Sequence, residues 1–466
     1  MQATPDQILT VAQMRAAEEA LITGGETVDS LMQIAGRGAA EYVWRLAGHR
    51  KVTVLCGPGN NGGDGYVIAE CLRARGAPVA VVAPYDPATD AARNARAAYC
   101  GDILDGAARP HGDVLVDCLF GSGLSRPLDS VAFRCLTELA RSHTQRIAID
   151  MPSGIDSDAG IALNSWLPTY DLTIALGAWK YAHWLIPSQE WMGDRRLVPI
   201  GIGAAEGAAA LIDKPRLSAP AIDAHKYSRG LAVVVAGEMP GATLLSCAAA
   251  MKGGAGYVKL ASNDPPVSRP AELVVDMSPV DVALEDSRIC SVLIGPGMGR
   301  SPAMRERLKA VLTGYCPLVL DADALILFDP DLLDSQNRAI VATPHEGELK
   351  KLAAAYGIEG GSRLHIAKVL ARASGMVIVA KGPDTIIAAP DGRVAIAQGA
   401  TSWLSVAGTG DVLAGLVVSR LSTDAEPFAA ACEAVWLHGE AARLSGPVFT
   451  AAELVTRIST AYAACL

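Results

Sequence analysis

The sequence is poor in aromatic residues: Phe, Trp and Tyr make up 5% of its 466 positions, although half of the residues are hydrophobic and the mean hydropathy is +0.26. Its apolar character therefore rests on small and branched aliphatics, which fill buried parallel strands and the helices that cover them. An excess of basic charge is also missing. Forty Lys and Arg against 49 Asp and Glu give a net charge of −9, which argues against a polyanion-coating role and so against nucleic acid as a partner. Anionic small ligands remain open, because backbone N–H groups hold phosphate without bulk positive charge. No stretch reaches the roughly 20 uninterrupted apolar residues of a membrane span. The opening MQATPDQILTVAQMRAAEEA has no basic segment followed by an apolar one. A cytoplasmic protein without membrane contact is expected. The ten Cys form no Cys-x-x-Cys pair and no His/Cys ligand spacing, so buried reduced thiols are expected rather than disulfides or a zinc site.

What is present is a repeated alternation of short apolar runs and helical segments. The length argues for two to four domains. In the first half, strands are expected near 51–55, 78–83, 113–118, 146–149 and 171–176, with helices over 10–22, 28–46, 66–75 and 131–143. The pattern breaks in the Ala-, Gly- and Pro-rich stretch from Gly201 to Tyr227, then restarts with strands near 230–236, 257–261, 273–275, 292–294, 318–320, 339–342 and 376–380. Ala-rich helices follow near 412–421 and 427–444. This predicts an α/β protein of two domains, 1–214 and 215–466, divided near Lys214. The first is a Rossmann-like parallel sheet with helices on both faces. Ligands are expected beyond the carboxyl ends of such strands.

The strand ends carry the chemistry. VTVLCGPGNNGGDGYVIAECL places a Gly/Asn/Asp loop, Gly57–Gly65, between a strand and a helix, where backbone amides can face a phosphate. It lacks the G-x-G-x-x-G dinucleotide spacing, and Asn60, Asn61 and Asp64 add oxygens that a plain turn does not need. DVLVDCLFGSGLSRPL ends a strand in Asp117 before a second glycine loop, and RIAIDMPSGIDSD ends another in Asp150. A lone Asp at such a place is usually a cap or turn former; three polar strand ends in one domain point to a site.

Together with LTVAQMRAAEEA and LMQIAGRGAA, these blocks resemble the NAD(P)H-hydrate epimerase domain, the YjeF N-terminal family, over about residues 8–212. The resemblance implies that Asn60, Asn61, Gly62, Gly63 and Asp64 bind the hydrated nicotinamide nucleotide. It implies the same for Gly121, Ser122, Gly123, Leu124, Ser125, Arg126 and Pro127. It further implies that Asn61, Asp117 and Ser153 hold a potassium ion, a plausible hard-cation set by ligand type. Asp150 would bind substrate and act as the general acid/base for interconversion at C6 of the nicotinamide ring.

Four blocks mark the second half: SVLIGPGMGRS, AIVATPHEGELKKL, VIVAKGPDTIIA and SVAGTGDVLAGLVVSRL. In the last, Gly408, Thr409 and Gly410 turn directly into an apolar helix, and Asp411 points into the same space. An amide-lined anion hole beside a carboxylate suits phosphoryl transfer; an N-cap with a tight turn is the structural alternative. These blocks resemble the ribokinase-like superfamily. With HKYSRG at 225–230, they match its ADP-dependent NAD(P)H-hydrate dehydratase family from about His225 to the end. The resemblance implies substrate contacts at Ala242, Gly297, Gly299, His345 and Asp411, with Asp411 as catalytic base. It implies nucleotide contacts at Lys381, Gly382, Pro383, Asp384, Thr385, Thr401, Gly408, Thr409 and Gly410. Where that family reads Asn-Pro-Gly-Met-Ala-Thr, this chain has GATSWLSV at 399–406, with Trp403 and Leu404. His438, in a helical WLHGEAA stretch, is expected to be structural.

The combined expectation is a bifunctional repair enzyme. It would epimerise the R and S hydrates NADHX and NADPHX, and dehydrate the S form with conversion of ADP to AMP and phosphate. Potassium is expected in the first domain, Mg2+ in the second, and a homo-oligomer as the assembly. The alternatives are a vitamin or sugar kinase fused to a nucleotide-binding domain, and a first domain that only binds.

Overall fold

The computed structural model describes residues 6–264, 266–333 and 338–466. By contacts the chain divides into two units, the first running to Ala210 and the second beginning at Leu211.

In the first unit, seven short strands lie in the order Asp194–Val198, Leu172–Leu176, His143–Ile149, Gly112–Cys118, Val52–Cys56, Val79–Ala83 and Ile103–Asp105. Every pairing between neighbours is parallel. Side chains alternate between the faces of a strand, and the packing follows that period. Val52, Val54, Cys56, Val114, Val116 and Cys118 pack with residues of the helices Val28–Ala47 and Asn60–Ala74. Leu55 and Leu115 point the other way, onto Ala132, Leu136 and Leu139 of the helix Ser130–Ser142. Helices therefore cover both faces, and the strand ends carrying Asp117 and Asp150 share one edge.

One expectation needs correction. The segment read as a loop from Gly57 to Gly65 is a loop only to Gly59, and the helix starts at Asn60. Its glycines are there for close packing. A Cβ on Gly62 would lie 1.9 Å from the Gly57 carbonyl oxygen, and one on Gly63 would lie 2.4 Å from Met32 Cε. Because glycine lowers helix propensity, the first turn is hidden in the sequence although tertiary packing demands it. Gly57 itself is pressed against the second loop: a Cβ there would fall 1.7 Å from the Leu119 carbonyl oxygen. Gly57→Ala is therefore expected to cost about 3 kcal/mol or more, read as a lower midpoint in urea denaturation.

In the second unit the strand order is Val394–Ile396, Ile386–Ala388, Val377–Ala380, Ile340–Ala342, Leu318–Leu320, Ile289–Ile294, Leu231–Val235, Tyr257–Ala261 and Val274–Asp276. The first three are joined by antiparallel pairings and the rest by parallel ones. Ala232, Val234, Leu293, Val319, Val341 and Val379 form one core with the helices Pro240–Lys252, Thr409–Ser422, Pro427–Ser445 and Ala451–Ala463. The α/β class expected for both halves is what the chain adopts. All ten cysteines are free thiols. Among the described residues no helix is long and apolar enough to cross a membrane.

Candidate active sites

The first unit contains a cavity of about 530 Å³, bordered by Asn60, Asn61, Asp64, the whole 121–127 loop, Asp150 and Lys180. That volume suits a small-molecule ligand. Gly62 and Gly63 do not border it; they face inward against Gly57 and Met32. Asn60 is held from the rim, its Oδ1 accepting from Thr89 Oγ1 at 2.7 Å.

Asp150 sits just past its strand with φ at +64°. That left-handed conformation is unfavourable for most residues and is tolerated best by Gly, Asn and Asp. Its backbone is held at both ends: its N–H donates to Ile174 O at 2.7 Å, and its carbonyl accepts from His183 Nε2 at 2.8 Å. The carboxylate accepts from the Ser122 amide at 2.8 Å and from Lys180 Nζ at 2.5 Å. Burial opposes its ionisation, but the Lys180 charge and the Ser122 hydrogen bonds outweigh burial and hold the carboxyl below the ordinary range. Asp64 goes the opposite way. Burial, reinforced by Asp150 and Glu18, pushes its carboxyl well above the ordinary range.

Asp117 and Ser153 form a second, fully buried knot beside the cavity. Ser153 Oγ donates to Asp117 Oδ1 at 2.8 Å and its amide to Oδ2 at 3.1 Å. The Leu119 amide donates to Oδ1 at 3.0 Å, and the Tyr170 hydroxyl also donates to this carboxylate. Asn61 Nδ2 donates to Ile149 O at 3.2 Å, whereas Asn61 Oδ1 is buried without a hydrogen-bond partner. An unsatisfied buried acceptor is uncommon and costly, and it suits a site that takes a cation.

Sequence reasoning missed Lys180. Its signal was there: residues 172–187, LTIALGAWKYAHWLIP, are apolar except for one Lys and one His of chemical consequence. The pair is tied together. The Lys180 amide donates to His183 Nδ1 at 2.9 Å, so the His183 proton lies on Nε2, where it reaches Asp150 O. Burial, helped by Lys180, pushes the His183 imidazole down to about 4 and keeps it neutral. Glu18 was also missed, although it lies in the LTVAQMRAAEEA block.

In the second unit, Gly408 has φ at +92° and opens the helix Thr409–Ser422 with no capping side chain. The Thr409 hydroxyl shapes the turn by donating to the Leu404 and Val406 carbonyls, both at 2.9 Å. His438, expected to be structural, is half-buried and donates from Nε2 to Thr409 O at 2.9 Å; desolvation of the ring pushes it down to about 4. Asp411 follows in the first turn. Burial, with the charge of Asp321, pushes its carboxyl up to about 6 against the opposing pull of Lys381.

Lys381 is the hub of this site. Its Nζ lies 2.6 Å from Asp321 Oδ1 and 3.9 Å from Glu348 Oε2, and a Cβ on Gly410 would come within 3.5 Å of it. Burial disfavours its charge, yet Asp321 and Glu348 outweigh that and raise its pKa. Asp321 also accepts from Thr343 Oγ1 at 2.7 Å. His345 caps the helix Glu346–Ala355, with Nε2 3.0 Å from Glu348 Oε1. Through Glu348 it joins the Lys381 cluster. Gly297 and Gly299 have φ of +61° and +79°; a Cβ on Gly297 would lie 3.0 Å from Ala242 Cβ, and the Gly299 amide donates to Asp323. In the 381–385 loop, the Gly382 amide donates to Thr385 Oγ1, Pro383 is exposed and Asp384 is buried against Arg363. Thr401 caps the short turn holding Trp403, which is 46% exposed. The sequence reading passed over Asp321 and Glu348, although Asp321 ends an apolar strand as Asp117 and Asp150 do.

Comparisons with known proteins agree over both units. A family profile described as YjeF-related protein N-terminus matches residues 28–182, and one described as NAD(P)H-hydrate dehydratase matches residues 232–462. The Bifunctional NAD(P)H-hydrate repair enzyme Nnr of Gloeobacter violaceus is 33% identical, over 93% of this chain and 92% of its own. Its counterpart in Thermosynechococcus vestitus is 32% identical, over 95% and 94%. Among solved structures, an ADP/ATP-dependent NAD(P)H-hydrate dehydratase from Bacillus subtilis, co-crystallised with ATP/Mg2+, is 28% identical. It covers 54% of this chain and 95% of that one, with a TM-score of 0.49.

Proposed function

Since the chain belongs to the bifunctional NAD(P)H-hydrate repair enzymes, we propose that its first unit interconverts the R and S hydrates of NADH and NADPH and its second dehydrates the S form. One observation supports the reading most: in each unit a strand- or turn-end aspartate lies in the field of a lysine, Asp150 in contact with the buried Lys180 and Asp411 feeling the charge of Lys381, which is itself paired with Asp321.

In the dehydratase site, Asp411 takes the proton of the C6 hydroxyl as that oxygen attacks the terminal phosphoryl group of ADP, and AMP departs. The C6–O bond then breaks, its electron pair leaving with phosphate while the ring nitrogen lone pair forms a C=N bond. Loss of a proton from C5 gives the reduced nicotinamide. The Gly408–Gly410 amides and Lys381 would meet the phosphoryl charge. Magnesium would come with the nucleotide phosphates. Among the described residues no cluster of three or more His, Cys, Asp or Glu offers it a dedicated site.

In the epimerase site, Asn61, Asp117 and Ser153 would hold a potassium ion, the unpartnered Asn61 Oδ1 supplying the open ligand. Its chemistry would be electrostatic, favouring anionic groups of the substrate. Exchanging potassium for tetramethylammonium is expected to slow R-to-S conversion about tenfold or more, measured by chromatography without nucleotide.

The test of the whole reading is to incubate the full chain with mixed NADH hydrates and ADP, or ATP in parallel, and follow the reduced-nicotinamide absorbance. Complete conversion of both epimers is expected with ADP. No recovery with either nucleotide would sink it. We also propose that the enzyme works in the cytoplasm as a homo-oligomer, the latter testable by light scattering.

A further inference from the structure

Lys180 is 1% exposed, yet it borders the cavity of the first unit. Its ammonium carries three protons. One goes to Asp150 Oδ1 at 2.5 Å and one to Leu176 O at 2.7 Å. The third has no hydrogen-bond acceptor among the described residues and is left for the cavity's occupant. Nor is the placement loose: His183 accepts from the Lys180 amide and donates to the Asp150 carbonyl, so one imidazole fixes both backbones. Burying an ammonium is costly even when it is paired, and an apolar residue would fill the position without that cost. The arrangement is a proton donor and a proton acceptor in contact, both at the edge of one cavity.

We propose that Lys180 is a catalytic residue of the epimerase site, giving a proton to the C6 oxygen of the substrate as that oxygen leaves. This rests on the reading of the first unit given above. The C6–O bond breaks and its electron pair departs with the oxygen, which takes the Lys180 proton and becomes water. The ring nitrogen lone pair forms a C=N bond with C6. A water molecule then adds to the opposite face of C6 and loses a proton to the Asp150 carboxylate. That proton returns to the neutral Lys180 amine across their 2.5 Å contact, and both side chains regain their starting states.

The test uses the full chain without nucleotide, following conversion of pure (R)-NADHX by chromatography. Lys180→Arg keeps the charge beside Asp150, but a guanidinium does not give up its proton. It is expected to lose about a hundredfold or more in kcat with KM nearly unchanged. Lys180→Ala should lose as much and recover in part with added methylammonium, in proportion to its concentration, whereas Asp150→Asn should not recover. A purely structural counter-ion predicts an active Lys180→Arg enzyme, and wild-type kcat in that variant overturns the proposal alone. Failure of methylammonium to restore a folded Lys180→Ala enzyme also overturns it. A wild-type chain that does not accelerate the exchange overturns the reading of the site and this inference with it.

Discussion

Asp411→Asn is expected to lower the rate of S-hydrate dehydration by about a thousandfold, near 4 kcal/mol of transition-state stabilisation. Asn preserves the volume at the start of the helix but cannot take the proton of the attacking hydroxyl. The wild-type pH profile should carry the same signature. Because burial and Asp321 push the Asp411 carboxyl up to about 6, the basic form is present above that pH and lost below it. The wild-type kcat/KM should therefore fall about tenfold per pH unit below 6, and the residual rate of the variant should lack that limb. R-to-S conversion without nucleotide should be untouched, since Asp411 has no part in the first site. A variant that keeps both the wild-type rate and its acid limb would remove Asp411 from the mechanism.

Asp150→Asn is the corresponding experiment in the first unit, with two effects to separate. Asn tolerates the left-handed backbone at φ +64°, so the backbone conformation should survive. Epimerisation should fall by about 10²- to 10⁴-fold, because the water adding to C6 loses its proton acceptor. The variant also leaves the Lys180 ammonium buried without its counter-charge, which costs about 3 to 5 kcal/mol. The sign follows from the depressed Asp150 pKa. The stabilisation from this pair is fully present above the unfolded carboxyl value near 4 and is lost as pH falls through the lower folded value. Urea midpoints should therefore converge between wild type and variant in strong acid and differ most at neutral pH. Unchanged exchange kinetics in a folded variant would refute the catalytic role.

The parallel strands were readable because burial on both sides makes them short continuous apolar runs, and each of the seven expected in the second half appears within a few residues. The glycine turn at 408–410 was readable for another reason: at Gly408 no residue but Gly takes φ +92° readily. Some features passed unread despite a signal. The antiparallel pair Ile386–Ala388 and Val394–Ile396 is joined through Pro390, Asp391 and Gly392, an Asp-Gly turn between apolar runs. The last helix opens with Thr450 and Glu453 in a reciprocal cap. Others had no local signal. The first turn at Asn60 is helical because of what the glycines touch, and the pairing of Lys180, itself conspicuous in its apolar run, with Asp150 is made only once the 29 residues between them have folded. Ionisable pairs of this kind are made by tertiary contact, so residue-by-residue reading finds the acid at the strand end and misses its partner.

Two histidines that frame the sites bear on how acid stops the enzyme. His183 bridges the backbones of the epimerase couple, His438 grips the carbonyl of Thr409, and both imidazoles are pushed down to about 4. Neither changes charge in the range where Asp411 acquires its proton, so both frames stay electrically silent while the chemistry shuts down. Acid inhibition of dehydration near pH 6 should then be instantaneous and fully reversible, a titration of one carboxyl rather than a slackening of the scaffold.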